Sequence, residues 1–264
     1  MIIDTHSHLN FNAYKKDFDE VIKRTQKQGV VCINVGSKYE TSREAVEIAE
    51  KYDGMYAAIG LHPMFSSTEF VKLKTDPDEG EFLVKEQDFD IRIYKKMAES
   101  KKVVAIGEIG LDYYYRPKTK IKLEQFKEKQ KQVFLQQLDL ARDLNLPAIL
   151  HCRMAHEDLL KILGAQIVPP QRDPAEGGTV SFKEIKGVIH CFTGGIKELE
   201  QYLNLGFYIG FNGIIFKMDL GEAIKKCPTE RMLGETDCPY LTPPKEGSKR
   251  NEPMFMSYAI QKIA

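Results

Sequence analysis

The chain has six histidines, His6, His8, His62, His151, His156 and His190. Five of them fall at, or a few residues beyond, the ends of short β-rich runs. Such positions make up on the order of one tenth of a barrel chain, so chance would place roughly one of six there. His6 and His8 form His-x-His, and residues i and i+2 of a strand share a face, so both imidazoles can reach one cation. Taken alone, this pair is equally well explained by packing. Its weight comes from the other strand ends: Glu108 at the fourth, His151 at the fifth, His190 at the sixth and Asp237 after the eighth. Buried and unpaired, such groups would be costly. A hydrogen-bonded network would satisfy them, but convergent cations account for all six better. Four imidazoles and two carboxylates exceed the four ligands of a structural zinc site. Shared between two divalent ions, with one carboxylate bridging, they leave positions open for water and substrate, as in a two-metal hydrolytic site.

The elements that must position them alternate in kind. Strand-like runs lie near 2–5, 30–36, 55–60, 103–108, 147–151, 187–191, 207–211 and 232–235, with helical segments such as 15–28, 42–51, 123–144 and 197–205 between them. Eight βα units in 264 residues predict a (β/α)₈ TIM barrel spanning 1–264 as one α/β domain, with the metal site at the C-terminal face of the strands. A doubly wound open sheet is the alternative. Two stretches, 66–90 and 166–181, break the rhythm and read as surface insertions, since neither has the apolar periodicity for a core of its own. The chain stops at Ile263-Ala264 within an apolar-periodic stretch, which reads as a last helix cut short.

Thirty-eight basic and 38 acidic side chains cancel, which argues against bulk-charge binding of polyanions but leaves room for a local basic cleft. No apolar run approaches the roughly 18 residues of a membrane span, and the start is not a signal peptide. Five cysteines with no Cys-x-x-Cys pair point to a reduced, cytoplasmic setting. No obligate protein partner is legible.

Seven motifs run in order along nearly the whole chain: Ile3-Asp4-Thr5-His6-Ser7-His8-Leu9, Gly60-Leu61-His62-Pro63, Gly107-Glu108-Ile109-Gly110-Leu111-Asp112, His151-Cys152-Arg153, His190-Cys191-Phe192-Thr193-Gly194, Gly234-Glu235-Thr236-Asp237-Cys238-Pro239 and Arg250-Asn251-Glu252-Pro253. Together they resemble the TatD family of metal-dependent deoxyribonucleases, within the amidohydrolase-like barrels. The resemblance implies a nuclease using two divalent ions (Mg, Mn or Zn) and acting 3′ to 5′ on single-stranded or frayed DNA ends. By resemblance and geometry together, His6 and His8 hold one ion, His151 and His190 the other, and Glu108 bridges. Asp237 ligates the first ion and takes a proton from the attacking water. Two features depart from the family pattern: the 66–90 insertion, which is longer than expected, and the stop at Ala264.

Other residues carry two readings each. Arg153 lies on the face of His151 and suits phosphate bidentately; a salt bridge to Glu157 or Asp158 is the alternative. His62 contacts the substrate phosphate or the leaving oxygen, or only shapes the turn at Pro63. Tyr113, Tyr114 and Tyr115 stack on unpaired bases or pack a helix start. Arg250, with Asn251, binds phosphate or ties down its loop. Asp112 orients ligands or tyrosines, while His156, Cys152, Cys191 and Cys238 read as packing. Two rival functions remain: amide, ester or lactone hydrolysis on the same metals, and a catalytically idle metal-binding barrel.

Overall fold

A computed structural model describes residues 2–70, 85–167, 184–247 and 250–264. Its strands are β1 (Ile2–Ser7), β2 (Val30–Val35), β3 (Met55–Ile59), β4 (Val103–Asp112), β5 (Ala148–Arg153), β6 (Gly187–Ile189), β7 (Tyr208–Phe211) and β8 (Met232–Gly234). They form one sheet in chain order, each parallel to the next. The sheet curls back on itself. Thr5 Oγ1 donates to the Gly234 carbonyl at 3.1 Å, and Ser7 bridges in parallel to Cys238 beyond β8. A doubly wound sheet would reverse its strand order at a switch point; this one does not, so the barrel expectation holds.

Helices α1 (Phe18–Lys27), α2 (Tyr39–Lys51), α3 (Ile91–Met97), α4 (Lys120–Leu144), α5 (His156–Ile167), α6 (Ile196–Asn204), α7 (Gly221–Lys226) and α8 (Met256–Ile263) surround the strands. Three of these ends have a local cause in a side chain or a backbone turn. Thr41 Oγ1 takes the Lys38 N–H at the start of α2, Asp90 takes the Arg92 N–H at the start of α3, and Asn145 ends α4 in the left-handed region at φ 54°.

Apolar burial falls into two layers. The larger packs strands against helices and includes Leu138, Tyr202 and Phe207. The smaller comprises Val35, Ala58, Ala105, Ile149 and Val188, with Ile33 and Leu233 against it. Two residues beyond Ile149, Val188 and Leu233 stand His151, His190 and Glu235, on the same strand face. The small layer is therefore the barrel interior, and it forms an apolar floor beneath those polar groups.

Strand β4 runs past Glu108, which had been expected to close it. Residues Ile109–Asp112 go on pairing with Leu150–Arg153 after a register shift between Ile106 and Ile109. Glu108 thus sits at an irregularity, the kind of place where a strand re-aims a side chain. Of the 66–90 insertion, 71–84 lies outside the described residues, as does 168–183, which holds most of the 166–181 one. Both flanks of the first are tied to α4 by Lys129, which pairs with Glu69 at 3.0 Å and with Glu86.

Candidate metal centre

His6 and His8 project from the end of β1 with their Nε2 atoms 3.1 Å apart. His8 Nδ1 lies 2.8 Å from the Val35 carbonyl, which can only accept, so this nitrogen donates and the neutral ring keeps its lone pair on Nε2. Glu108 Oε2 stands 3.4 Å from His6 Nε2, and Asp237 Oδ1 3.4 Å from His8 Nε2. Bonds of about 2.1 Å to one cation separate neighbouring ligand atoms by about 3.0–3.4 Å, and these contacts match that spacing. His6 Nδ1 is buried without a hydrogen-bond partner, so the ring is held through Nε2 and its stacking on His190 alone. The donor set fits a divalent cation.

Glu108 divides its two oxygens. Oε2 faces His6 and His8, at 3.4 and 3.9 Å. Oε1 faces His151 Nδ1 at 2.7 Å, His62 Nε2 at 3.6 Å and His190 Nε2 at 3.8 Å. His190 also lies 3.7 Å from Asp237 Oδ1, and its ring stacks on His6 with centroids 3.5 Å apart. Compact ligand triads accordingly form from His6, His190 and Asp237, from His6, His8 and Glu108, and from His62, Asp112 and His151. The pair His151 and His190, expected around one ion, shares Glu108 Oε1, while His190 groups with His6 and His151 groups with Asp112.

His62 differs from the other imidazoles. Its Nδ1 accepts the Met64 N–H at 3.0 Å, so the neutral ring carries its proton on Nε2, the atom facing Glu108. Burial, together with the neighbouring His151, lowers its pKa to about 4. In this neutral form His62 donates from Nε2 toward Glu108.

The charges around it are set by mutual proximity. Burial pushes Glu108 up, but His62, His6 and His151 outweigh it and hold this carboxylate well below its ordinary value. Burial likewise opposes ionisation of Asp237, and His190, His8 and His6 overcome it. Burial lowers His151, yet the hydrogen bonds it donates to Asp112 and Glu108 raise it to about 10. His190 rises against burial to about 9, through the charges of Glu235 and Asp237.

Four polar residues with no role assigned from sequence brace this cluster. Glu235, 1% exposed, accepts the Cys191 N–H at 2.7 Å and the Asn212 amide at 3.1 Å. Its Oε1 lies 2.9 Å from His190 Nδ1, misaligned for a linear hydrogen bond but close enough to fix the ring electrostatically. A Cβ on Gly210 would meet Glu235 Oε2 at 2.5 Å, so a larger residue there would push the Glu235 carboxylate out of place. Asp4 receives the Thr236 N–H at 2.9 Å and its hydroxyl at 2.5 Å, pinning the residue before Asp237 to β1; burial raises Asp4 to about 7. Gln130 and Gln137 of α4 hydrogen-bond to the backbone around Asp112 and Leu61. The legible signal was a polar residue buried in an apolar pattern: Asp4 lies two before His6 and Glu235 two before Asp237.

The cluster forms part of the wall of a cavity of about 370 Å³ whose lining also includes Lys38, Arg153 and Lys217. The Arg153 guanidinium lies 3.7 Å above the Tyr114 ring. Asp158, one of the two salt-bridge partners considered for it, is engaged by the Tyr113 hydroxyl at 2.8 Å and by Lys131 at 3.2 Å. Tyr113 is turned inward, 3% exposed, whereas Tyr114 is 46% exposed. Arg250 faces another way: it pairs with Asp17 at 2.8 and 2.9 Å and Glu252 at 3.0 Å and covers the Tyr14 ring at 4.1 Å. Asn251 donates to the Thr236 and Tyr240 carbonyls, tying down the loop that carries Asp237. Asp112 Oδ1 accepts the Tyr114 N–H while Oδ2 faces His151, an orienting role. His156 packs as expected, 3.0 Å from the Tyr202 hydroxyl.

Comparison with known proteins places the sequence and the fold in one family. The sequence model of the family described as TatD related DNase matches residues 3–264. An uncharacterized metal-dependent hydrolase of Bacillus subtilis, YabD, is 36% identical over all of this chain and 90% of its own length. The 3′-5′ ssDNA/RNA exonuclease TatD of Citrobacter rodentium is 32% identical over all of this chain and 89% of its own. The crystal structure of YJJV, a TatD homologue from Escherichia coli K12, covers 99% of this chain and 88% of its own at a TM-score of 0.75 and 27% identity. The chain belongs to the TatD family of metal-dependent hydrolases.

Proposed function

We propose that this hydrolase cleaves phosphodiester bonds and removes nucleotides from the 3′ end of single-stranded or frayed DNA. One observation carries the reading: a cluster of cation ligands and three cationic side chains, Lys38, Arg153 and Lys217, line the same cavity. An amide or lactone has no anion for those cations to meet, whereas a phosphodiester has one. The exonuclease name of a relative that this chain matches from end to end agrees with it.

His6, His8, Glu108, His151, His190 and Asp237 would hold two divalent ions (Mg, Mn or Zn), Glu108 offering one oxygen to each side. When bound, such ions lower the pKa of water and neutralise charge developing on phosphoryl oxygens. Asp237, kept ionised by its histidine neighbours, takes the proton of the attacking water. Arg153 grips a non-bridging oxygen pair with its planar fork. His62 donates from Nε2 toward the departing oxygen. The five cysteines are unpaired, in keeping with a cytoplasmic setting, and no described helix is long and apolar enough to cross a membrane.

The test is a digest of 3′-labelled single-stranded DNA, beside model esters, by chelator-stripped protein resupplied with Mg²⁺, Mn²⁺ or Zn²⁺. Mononucleotide release that is lost in Glu108→Ala is the expected result. Ester turnover without DNA cleavage under every metal overturns the reading.

A further inference from the structure

Three tyrosines follow Asp112, and their environments separate them. Tyr113 is buried, its hydroxyl bound to Asp158 at 2.8 Å and its ring under the Lys127 ammonium at 4.6 Å. Tyr114 keeps 46% of its surface exposed, with the Arg153 guanidinium 3.7 Å over its ring and Tyr115 edge-on at 4.8 Å. We propose that Tyr114 and Arg153 form a stacking subsite for one unpaired nucleobase of the substrate strand, beside the cavity that receives the scissile phosphate. The proposal rests on the phosphodiesterase reading above.

Two relationships support it. The layer is fixed relative to the metal centre, because the Asp112 carboxylate that faces His151 Nε2 at 3.1 Å takes the Tyr114 N–H with its other oxygen at 2.8 Å. Arg153 lies two residues beyond His151 on β5, on the same strand face, and lines the cavity. A guanidinium stacked on a ring uses its flat face and keeps its N–H donors in its own plane. Phosphate recognition at its edge and aromatic stacking at its face are thus compatible in one side chain. A nucleotide offers that combination of an anion and a flat π-surface; a simple alkyl ester or aliphatic amide does not.

Stacking reads a π-face, which every base has, and takes no account of the 2′-hydroxyl. The subsite therefore serves DNA and RNA alike, is indifferent to base identity, and excludes a base still held within a duplex, whose faces its neighbours cover.

The experiment uses the metal-loaded enzyme as wild type, Tyr114→Ala and Tyr114→Phe, on a 3′-labelled oligothymidylate and on three versions with an abasic residue at the last, second or third position. Tyr114→Ala is expected to raise KM on the intact strand about tenfold, the loss of one base–aromatic stack, with little change in kcat. Tyr114→Phe, which keeps the ring, should recover the wild-type KM. At one position the abasic substitution should weaken the wild type equally and make it insensitive to Tyr114→Ala. An unchanged KM in Tyr114→Ala, or abasic effects identical in both proteins at every position, overturns the subsite while leaving the phosphodiesterase reading intact. A wild type that cleaves none of the strands under any metal overturns both. Superimposable circular dichroism melts show that the variants fold.

Discussion

Gln130 hydrogen-bonds to both backbone atoms of Asp112: its Oε1 accepts the N–H at 2.9 Å and its Nε2 donates to the carbonyl at 2.9 Å. The same amide reaches Ser67 Oγ at 3.1 Å, so one side chain joins the end of β4 to the loop after His62. Gln137, two turns further along α4, does the same for Leu61, at 2.7 and 3.0 Å. Both glutamines are 1% exposed. Gln130→Leu strands a buried N–H and a buried carbonyl, each costing about 1–3 kcal/mol. A loss of about 3 kcal/mol in urea unfolding is expected, and an unchanged midpoint would show that water replaces the amide.

That relationship also marks what a sequence can disclose. The barrel was legible because β-rich runs recur with helical stretches between them, and the same-face rule on a strand placed His6 with His8 and His151 with Arg153. Which neighbour turns inward was not legible. Tyr113 and Tyr114 are adjacent and chemically alike, yet only the fold shows that Asp158 draws the first into the protein and Arg153 stacks on the second. Arg250 read as a phosphate ligand or a loop tie, and the choice depends on Asp17, 233 residues away. Gln130 was invisible for a like reason: nothing in the helical pattern says that a glutamine replaces a backbone strand.

Glu235 should matter through His190. Carboxylates behind metal-ligating histidines typically contribute 10–100-fold in metal affinity. Glu235→Gln keeps an acceptor for the Cys191 N–H but removes the charge beside His190, so Mn²⁺ or Zn²⁺ affinity by calorimetry should fall within about that range. Gly210→Ala should reproduce the effect, since its Cβ would crowd Glu235 Oε2 at 2.5 Å. Undiminished affinity in both variants would reduce Glu235 to a loop brace.

Cation uptake should release protons. Without a cation, His151 is held protonated up to about 10 by Asp112 and Glu108, and His190 up to about 9 by Glu235 and Asp237. A coordinating imidazole nitrogen must be free of its proton. The sign follows: affinity rises with pH through neutrality and levels off near pH 9–10. Calorimetry in buffers of different ionisation enthalpy counts the protons. Two indicate that both histidines ligate, one that a single one does, and none would remove both from the coordination sphere.

The Arg250 network makes a prediction about stability instead of catalysis. Hydrogen bonds from Arg250, and then from Arg24, hold the Asp17 carboxyl at about 2 against an ordinary 3.8. A folded-state pKa below the unfolded one gives stability that is complete above about pH 4 and disappears as pH falls toward 2. The Asp17 side chain is 36% exposed, so solvent screening keeps the contribution modest. Arg250→Ala also uncovers Tyr14, whose hydroxyl donates to the Asn251 carbonyl at 2.6 Å. Loss of the charged bonds and of this cover should lower unfolding stability by about 1–3 kcal/mol at neutral pH and shrink the difference from wild type as the medium approaches pH 2. KM for DNA should stay within twofold once the variant is folded, because Arg250 directs its guanidinium to Asp17 and Glu252. A large rise in KM with unchanged stability would return Arg250 to the phosphate.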